Sequence, residues 1–246
     1  MTDSVSDIPF PASPFAAPSA QSAFAADVCE SVRGEWQSVT GRDVAALLDP
    51  RPTLIVGAVG RRNEIGLATI IWATPISHEP SMVAFSLRAR SHTMSCIQMN
   101  GCFSLNVLPA DKEGIYICEQ CGTRTGFQFN KNTLVQHHIV EVEWDKTETI
   151  EVKVPRKGLF KRSKTEEAEK TTHEKWRVPV VNAATSWMAC CVDRIEEVGD
   201  HLLVIGYVIE AHTCAPRNDK GLLIPQDVLQ CVQHGCYGKI ELLPEL

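Results

Sequence analysis

The sequence predicts a mainly β domain of antiparallel strands with a few helices around it, and the stretch from Thr53 to Pro109 carries that prediction. Three apolar runs, Thr53 to Val59, Ile65 to Thr74 and Met82 to Leu87, are separated by the turn-forming segments Gly60 to Asn63 and Ser77 to Pro80. Such runs read as consecutive antiparallel strands. A fourth run, Cys102 to Leu108, alternates Phe103, Leu105 and Val107 with Ser104 and Asn106. That period suits a strand with one wet face.

Residues 1 to about 37 are rich in Ala, Ser and Pro with no sustained period, so they bury too little surface to offset their ordering entropy. A flexible arm over 1–40 is expected, and one domain over 41–246 after it. Phe10, Phe15 and Phe24 of the arm are candidates for packing on a partner subunit. Gly41 to Asp49 is a short helical turn ended by Pro50 and Pro52. A helix is expected near Ser91 to Met99, stopped by Gly101, and a second from Asp111 to Gly122. Thr123 to Val135 is irregular. Trp187 to Ile195 and Leu202 to Ile209 flank the turn Glu197 to Asp200 and form a hairpin. Between them and the irregular stretch, residues 145–177 shift to charge, with Lys153, Arg156, Lys157, Lys161, Arg162 and Lys164 ahead of Glu166, Glu167, Glu169 and Lys170. Mixed charge of this kind solvates a loop or hairpin extension. The alternative is a basic docking site for an acidic partner or a nucleotide phosphate, anchored by Phe160.

Composition bounds the function. A chain of 246 residues suffices for one sizeable domain. Its hydrophobic fraction of 44% and mean hydropathy of -0.08 are those of a globular protein in water. No apolar run approaches the roughly 20 residues of a membrane helix. A net charge of -6 and a pI near 5.8 argue against a nucleic-acid partner. Asp3, Asp7 and early prolines break up any export signal, so a cytoplasmic location and reduced thiols are expected for the ten cysteines. Cys118 and Cys121 have the spacing of a redox dithiol or of half a metal site, with His137 and His138 as further ligands; ordinary buried thiols are the alternative. The Rossmann glycine fingerprint is missing, which argues against a separate nicotinamide domain.

The chemistry concentrates beyond the third strand. Arg88, Arg90, Ser91, His92 and Thr93 gather cations and hydroxyls at the start of a helix, which is the chemistry of an anion site. The plainer alternative is that Ser91 caps the helix and Arg90 is a surface cation.

Several segments together resemble the flavin reductase-like proteins of the FMN-binding split-barrel fold, the group that includes the flavoredoxins. They are Arg51-Pro52; Gly66 to Trp72 with Thr74 to Ser77 and Glu79-Pro80; Arg90 to Thr93; Gly101 to Val107; Gly199-Asp-His201 with Leu202 to Val208; and Gly235 to Lys239. Thr125-Gly126 and Asn130-Lys131-Asn132 stand where the family carries Ser-Gly and Asp-Lys-Phe. The resemblance spans about Asp43 to Ile240. It implies a six-stranded antiparallel Greek-key barrel with a few peripheral helices, a homodimer with flavin near the subunit interface, and electron flow from NADH, NADPH or a redox partner through FMN. It also admits a non-enzymatic flavin or haem binder or sensor of the same fold.

Under that resemblance Arg90, Ser91, His92 and Thr93 bind the FMN phosphate, with Ser86 as a further donor. The strand through Thr69, Ile70, Ile71 and Trp72 lies along the flavin. Gly66 and Ile71 replace an Asn and a Ser common in the family, which removes two side-chain hydrogen bonds and leaves Thr69 and backbone groups. Trp72 is otherwise a core aromatic. Asn106 meets the ring edge or satisfies neighbouring backbone. Lys131 approaches the phosphate or flavin N1, or is an exposed lysine. His201 is the candidate at the reaction centre, positioning a cofactor or managing the flavin proton, or else a structural turn histidine.

Overall fold

The computed structural model of the chain describes residues 38–155, 163–224, 227–233 and 235–239. The arm with Phe10, Phe15 and Phe24, and the segment holding Arg156, Lys157, Phe160, Lys161 and Arg162, lie outside the described residues. The chain divides at Ala45 and Ala46. Residues 38–45 hold most of the short helix α1 (Arg42–Ala46). Every other element belongs to the second unit.

The strands of that unit begin with β1 (Arg51–Pro52), β2 (Leu54–Val59), β3 (Ile65–Ile70), β4 (Ala73–His78), β5 (Ser81–Arg88) and β6 (Cys102–Val107). A long pair comes next, β7 (His137–Pro155) and β8 (Ser163–Val181), then β9 (Ser186–Val198), β10 (His201–Thr213), β11 (Gln230–Gln233) and β12 (Cys236–Gly238). Two helices interrupt them, α2 (His92–Asn100) and α3 (Lys112–Thr123). Seven strands form one antiparallel sheet in the order β3-β2-β6-β9-β10-β5-β4. The edge strands β3 and β4 are separated in sequence by Ile71 and Trp72 alone, so the two edges of the sheet are drawn together and the sheet curls. A bond from the Ser86 amide to the Trp72 carbonyl, 2.9 Å, stitches this corner. The run Ile65 to Thr74, expected as one strand, is therefore broken at Ile71 and Trp72. Its first part pairs with β2 and its second with β5, which makes seven strands of six. The architecture is that of the mainly β split barrel.

The curl encloses a core of Val56, Ile70, Phe85, Phe103, Leu105 and Val204, with the Phe85 and Phe103 rings edge to face at 5.0 Å. Helix α2 adds Met94 and Ile97, both fully buried. Each such side chain contributes about 1.5–3 kcal/mol by leaving water. On the outer face α3 lays Ile117, Cys118 and Cys121 against Ile55, Leu67 and Leu229. Among the described residues no helix is long and apolar enough to cross a membrane.

The face of β6 expected to be wet is dry. Ser104 and Asn106 are fully buried because the edge of β8 lies across them. Alternate β6 side chains bond that edge in sequence. Cys102 Sγ reaches the Arg177 carbonyl at 3.7 Å, Ser104 Oγ donates to the Pro179 carbonyl, and Asn106 Oδ1 accepts from the Val181 amide at 3.0 Å. Side chains thus replace the backbone ladder that β8 lacks on this side.

The charged stretch is a hairpin extension, paired from His137 with Val181 to Pro155 with Ser163. Near its base one face carries Val140, Val142, Trp144, Trp176 and Val178, which cover the barrel, with Trp144 edge-on to Trp176 at 5.5 Å. The other face pairs Glu141 with Arg177, Glu143 with Lys175 and Asp145 with His173 directly across the strands. These exposed pairs are screened by water and serve register more than stability. Two cavities of about 510 and 360 Å³ sharing Met99 and Asn100 lie where the hairpin meets the end of α2.

Candidate functional site

The phosphate corner is the start of α2. Ser91 is its N-cap: the hydroxyl accepts from the Met94 amide at 3.0 Å and the carbonyl from the Ser95 amide at 3.1 Å. The amides of His92 and Thr93 precede the first intrahelical bond, so they are donors for an external acceptor. Gly101, in the left-handed region with φ 69°, ends the helix as the sequence predicts. Arg88 and Arg90 are exposed on the approach to the corner. Thr93 is buried against β3, where a Cβ on Gly66 would lie 2.7 Å from the Thr93 Cα. Helix and strand can approach this closely because residue 66 has no side chain. The corner lines neither of the two cavities at the hairpin base.

Around His92, which the sequence reading placed at the phosphate, stand groups that sequence reasoning missed: Glu64, Cys96, Gly126 and Phe127. His92 turns its ring edge to Phe127 at 5.4 Å, and its Nδ1 is buried without a partner. Gly126 passes so close that a Cβ there would lie 2.9 Å from that nitrogen. The Glu64 carboxylate accepts from the Arg62 amide at 2.7 Å, and backbone amides, its own first, hold it below the usual carboxylate range. Cys96, one turn along α2, is buried, and burial pushes its thiol up to about 11.

A second group sits at the corner where the sheet edges meet. Trp72 is 39% exposed, so it is not a core aromatic. Its ring lies 5.0 Å from His201 at 42°, and the Arg51 guanidinium lies 5.9 Å from the Trp72 ring centre. Arg51 is fixed by two contacts to Asp49, at 2.8 and 2.7 Å. His201 comes just after the Gly199 turn, φ 61°, and pairs with Arg88 across β10 and β5. Its Nδ1 lies 2.7 Å from Asp200 Oδ1, and the hydrogen bond with His201 holds the Asp200 carboxyl below its ordinary value. Ser86, bonded to the Trp72 carbonyl, belongs to the same group. Arg51, Asp49 and Asp200 carry no signal in the sequence beyond the Arg-Pro and Gly-Asp-His segments, since their partners are distant or become adjacent through a turn.

Other expected residues stand elsewhere. Asn106 is fully buried, with Nδ2 on the Ile55 carbonyl and Ser104 Oγ, both 3.1 Å, and Oδ1 on Val181. Its hydrogen-bonding groups are engaged within the protein, which corrects the expectation of a ring-edge contact in favour of the backbone one. Lys131 is 5% exposed and donates to the carbonyls of Leu67 at 2.8 Å and Cys121 at 2.6 Å. It ties β3 to α3 instead of facing a phosphate or solvent, and burial lowers its ammonium pKa. Thr69 gives its hydroxyl to the Cys118 carbonyl at 2.6 Å, and Ile70 points into the core, so what this strand can offer a ligand is backbone and Ile71. Cys118 and Cys121 are 1% and 2% exposed on the packed face of α3, and burial pushes Cys121 up to about 12. The dithiol reading does not survive for them, because it needs an accessible thiolate, and the metal reading does not because, among the described residues, neither joins a cluster of three metal-ligating side chains.

The family model described as "Flavin reductase like domain" matches residues 49–230. The chain belongs to the flavin reductase-like family. Solved structures share its fold. Flavoredoxin from Methanosarcina acetivorans superposes with a TM-score of 0.62 at 17% identity, over 87% of this chain and 95% of that one. An FMN-binding protein from Thermus thermophilus gives 0.61 at 16%, over 86% and 100%. An NADH:FAD oxidoreductase from Streptomyces globisporus gives 0.55 at 15%, over 86% and 100%. The donor set of this flavin reductase-like chain fits an anionic flavin. Two helix-start amides and two guanidinium groups can face a phosphate, against two carboxylates that are already engaged, Glu64 by backbone amides and Asp200 by His201. Gly66, which stands for the family's Asn, is required here by the contact with Thr93.

Proposed function

We propose that the protein is a cytoplasmic, homodimeric FMN flavoprotein that takes electrons from NADH or NADPH, or from a redox partner, and passes them to an acceptor. One juxtaposition in a chain of this family supports the reading: Arg90 and the open amides of His92 and Thr93 lie two to five residues beyond the strand that pairs with His201 and bonds Trp72. A phosphate and a ring can be held side by side along that corner. Two solved structures of this fold are named for FMN binding and for NADH:FAD oxidoreduction.

Bound flavin would supply the two-electron chemistry. Arg88, Arg90 and the amides of His92 and Thr93 hold the phosphate. The backbone from Ala68 to Trp72 would meet the ring, and Trp72, between Arg51 and His201, would limit where a second planar ring can stack. His201 is the proton-handling group: with Nδ1 engaged by Asp200, Nε2 is left to hold or release a proton beside the ring. Apolar exposure at Trp72, Phe127 and Phe129 provides a face for the second subunit.

Anaerobic titration of the FMN-loaded protein with NADH and with NADPH, monitored in the flavin absorption band, tests this. Bleaching by either nicotinamide supports the reductase. Bleaching by a reduced protein partner alone makes the chain an electron carrier, and a protein that stays colourless with added FMN overturns the reading.

A further inference from the structure

We propose that Glu64, His92 and Cys96 form a three-ligand site for a divalent transition-metal ion of the zinc class, with the fourth position open. His92 and Cys96 are separated by four residues on α2, the spacing that puts two ligands on one helix face, as in the H-E-x-x-H zinc motif. Glu64 comes from the turn into β3, the strand against which α2 packs. One donor atom from each residue lies within 4.8 Å of the others, and His92 Nε2 is 4.0 Å from Cys96 Sγ. Zinc bonds of about 2.0–2.3 Å set tetrahedral donors some 3.3–3.8 Å apart, so modest side-chain rotation closes the site. Among the described residues no other three His, Cys, Asp or Glu side chains converge in this way.

The surroundings hold each ligand in place. Cys96 is pinned beside Gly66, where a Cβ would lie 3.2 Å from its Sγ. One Glu64 oxygen is fixed by the Arg62 amide, and the residue's own amide also engages the carboxylate, so backbone holds this ligand in place while lone pairs remain for a metal. Packing against Gly126 and Phe127 sets the His92 ring. Because His92 Nδ1 has no acceptor behind it, the ion is held less tightly than by a histidine backed by a carboxylate. Carboxylate, thiolate and neutral imidazole balance a dication, so metal uptake displaces the Cys96 proton. The open position then takes water or an oxygen of an anion at the start of α2. This site stands whether or not flavin binds.

The test uses full-length protein with Cys29 and the exposed Cys214 and Cys236 replaced by serine, freed of metal by a chelator and titrated with Co(II) alone. One equivalent is expected to give a thiolate-to-cobalt charge-transfer band with the visible bands of a tetrahedral ion, and Zn(II) is expected to displace it. Cys96→Ser removes the charge-transfer band with unchanged circular dichroism, and Glu64→Gln keeps it but weakens binding at least about tenfold. No band at one equivalent, a band that persists in Cys96→Ser, or an unaltered affinity in Glu64→Gln overturns the proposal. Should Cys96→Ser not fold, the Glu64→Gln titration decides alone.

Discussion

At the scale of single residues, side-chain chemistry is legible in the sequence but its direction is not. Asn106 and Ser104 read as water-facing because they alternate with Phe103 and Leu105, yet both are buried under β8. Polar residues at period two look the same whether water or a strand edge satisfies them, and the strand concerned lies 75 positions away in sequence. The structure makes Asn106 a tie between β2, β6 and β8. Asn106→Ala should therefore cost about 3 kcal/mol, the penalty for stranding buried amide and carbonyl partners, measured as a lower urea midpoint. A loss below about 0.5 kcal/mol, the range of an ordinary surface change, would show that the tie is unimportant. Lys131 behaves similarly: Lys131→Met leaves the Leu67 and Cys121 carbonyls without donors and should destabilise by about 1–3 kcal/mol, with no specific change in FMN affinity. A selective loss of FMN binding would return Lys131 to the site.

At the scale of elements, most of the sequence reading holds. Strand runs, both longer helices, the Ser91 cap, the Gly101 stop and the Gly199 hairpin all arise from local signals of periodicity and capping. The break at Ile71 and Trp72 cannot be read locally, since an apolar run that changes partners keeps its composition. The close approach of α2 to β3 is equally hidden. In the sequence Gly66 looks like a lost hydrogen bond, whereas its missing side chain is what lets Thr93 sit against the strand. Restoring the family's residue with Gly66→Asn should therefore not strengthen flavin binding. It should push the start of α2 outward and destabilise by about 1–3 kcal/mol, as overpacking does. A variant that is more stable and binds FMN more tightly would contradict this packing. The hairpin base is explained by alternation as well, its apolar face on the barrel and its ionic face in water.

At the scale of the whole molecule, buried thiols set the response to alkali. Burial pushes Cys102 and Cys121 up to about 12 in the folded chain, against an ordinary value of 9.0. The unfolded chain loses these protons first, so the contribution is complete below pH 9.0 and is lost as pH rises from there toward about 12. The urea midpoint should fall between pH 8 and pH 11, and Cys102→Ala or Cys121→Ala should flatten that fall even where it lowers stability at pH 7. An unchanged slope would mean that the thiols do not control it. The candidate site is likewise a property of the whole fold, since curling the sheet is what brings Trp72 to His201, beside the end of the strand that leads into α2. Its central claim concerns the phosphate, and the most direct measurement compares FMN with riboflavin, which lacks that group, on the native protein and on Arg90→Ala. The native protein should bind FMN about 100-fold more tightly, equivalent to about 2.7 kcal/mol, and Arg90→Ala should reduce that preference while leaving riboflavin affinity unchanged. Equal affinity for the two flavins, or a preference that survives the substitution intact, would contradict it.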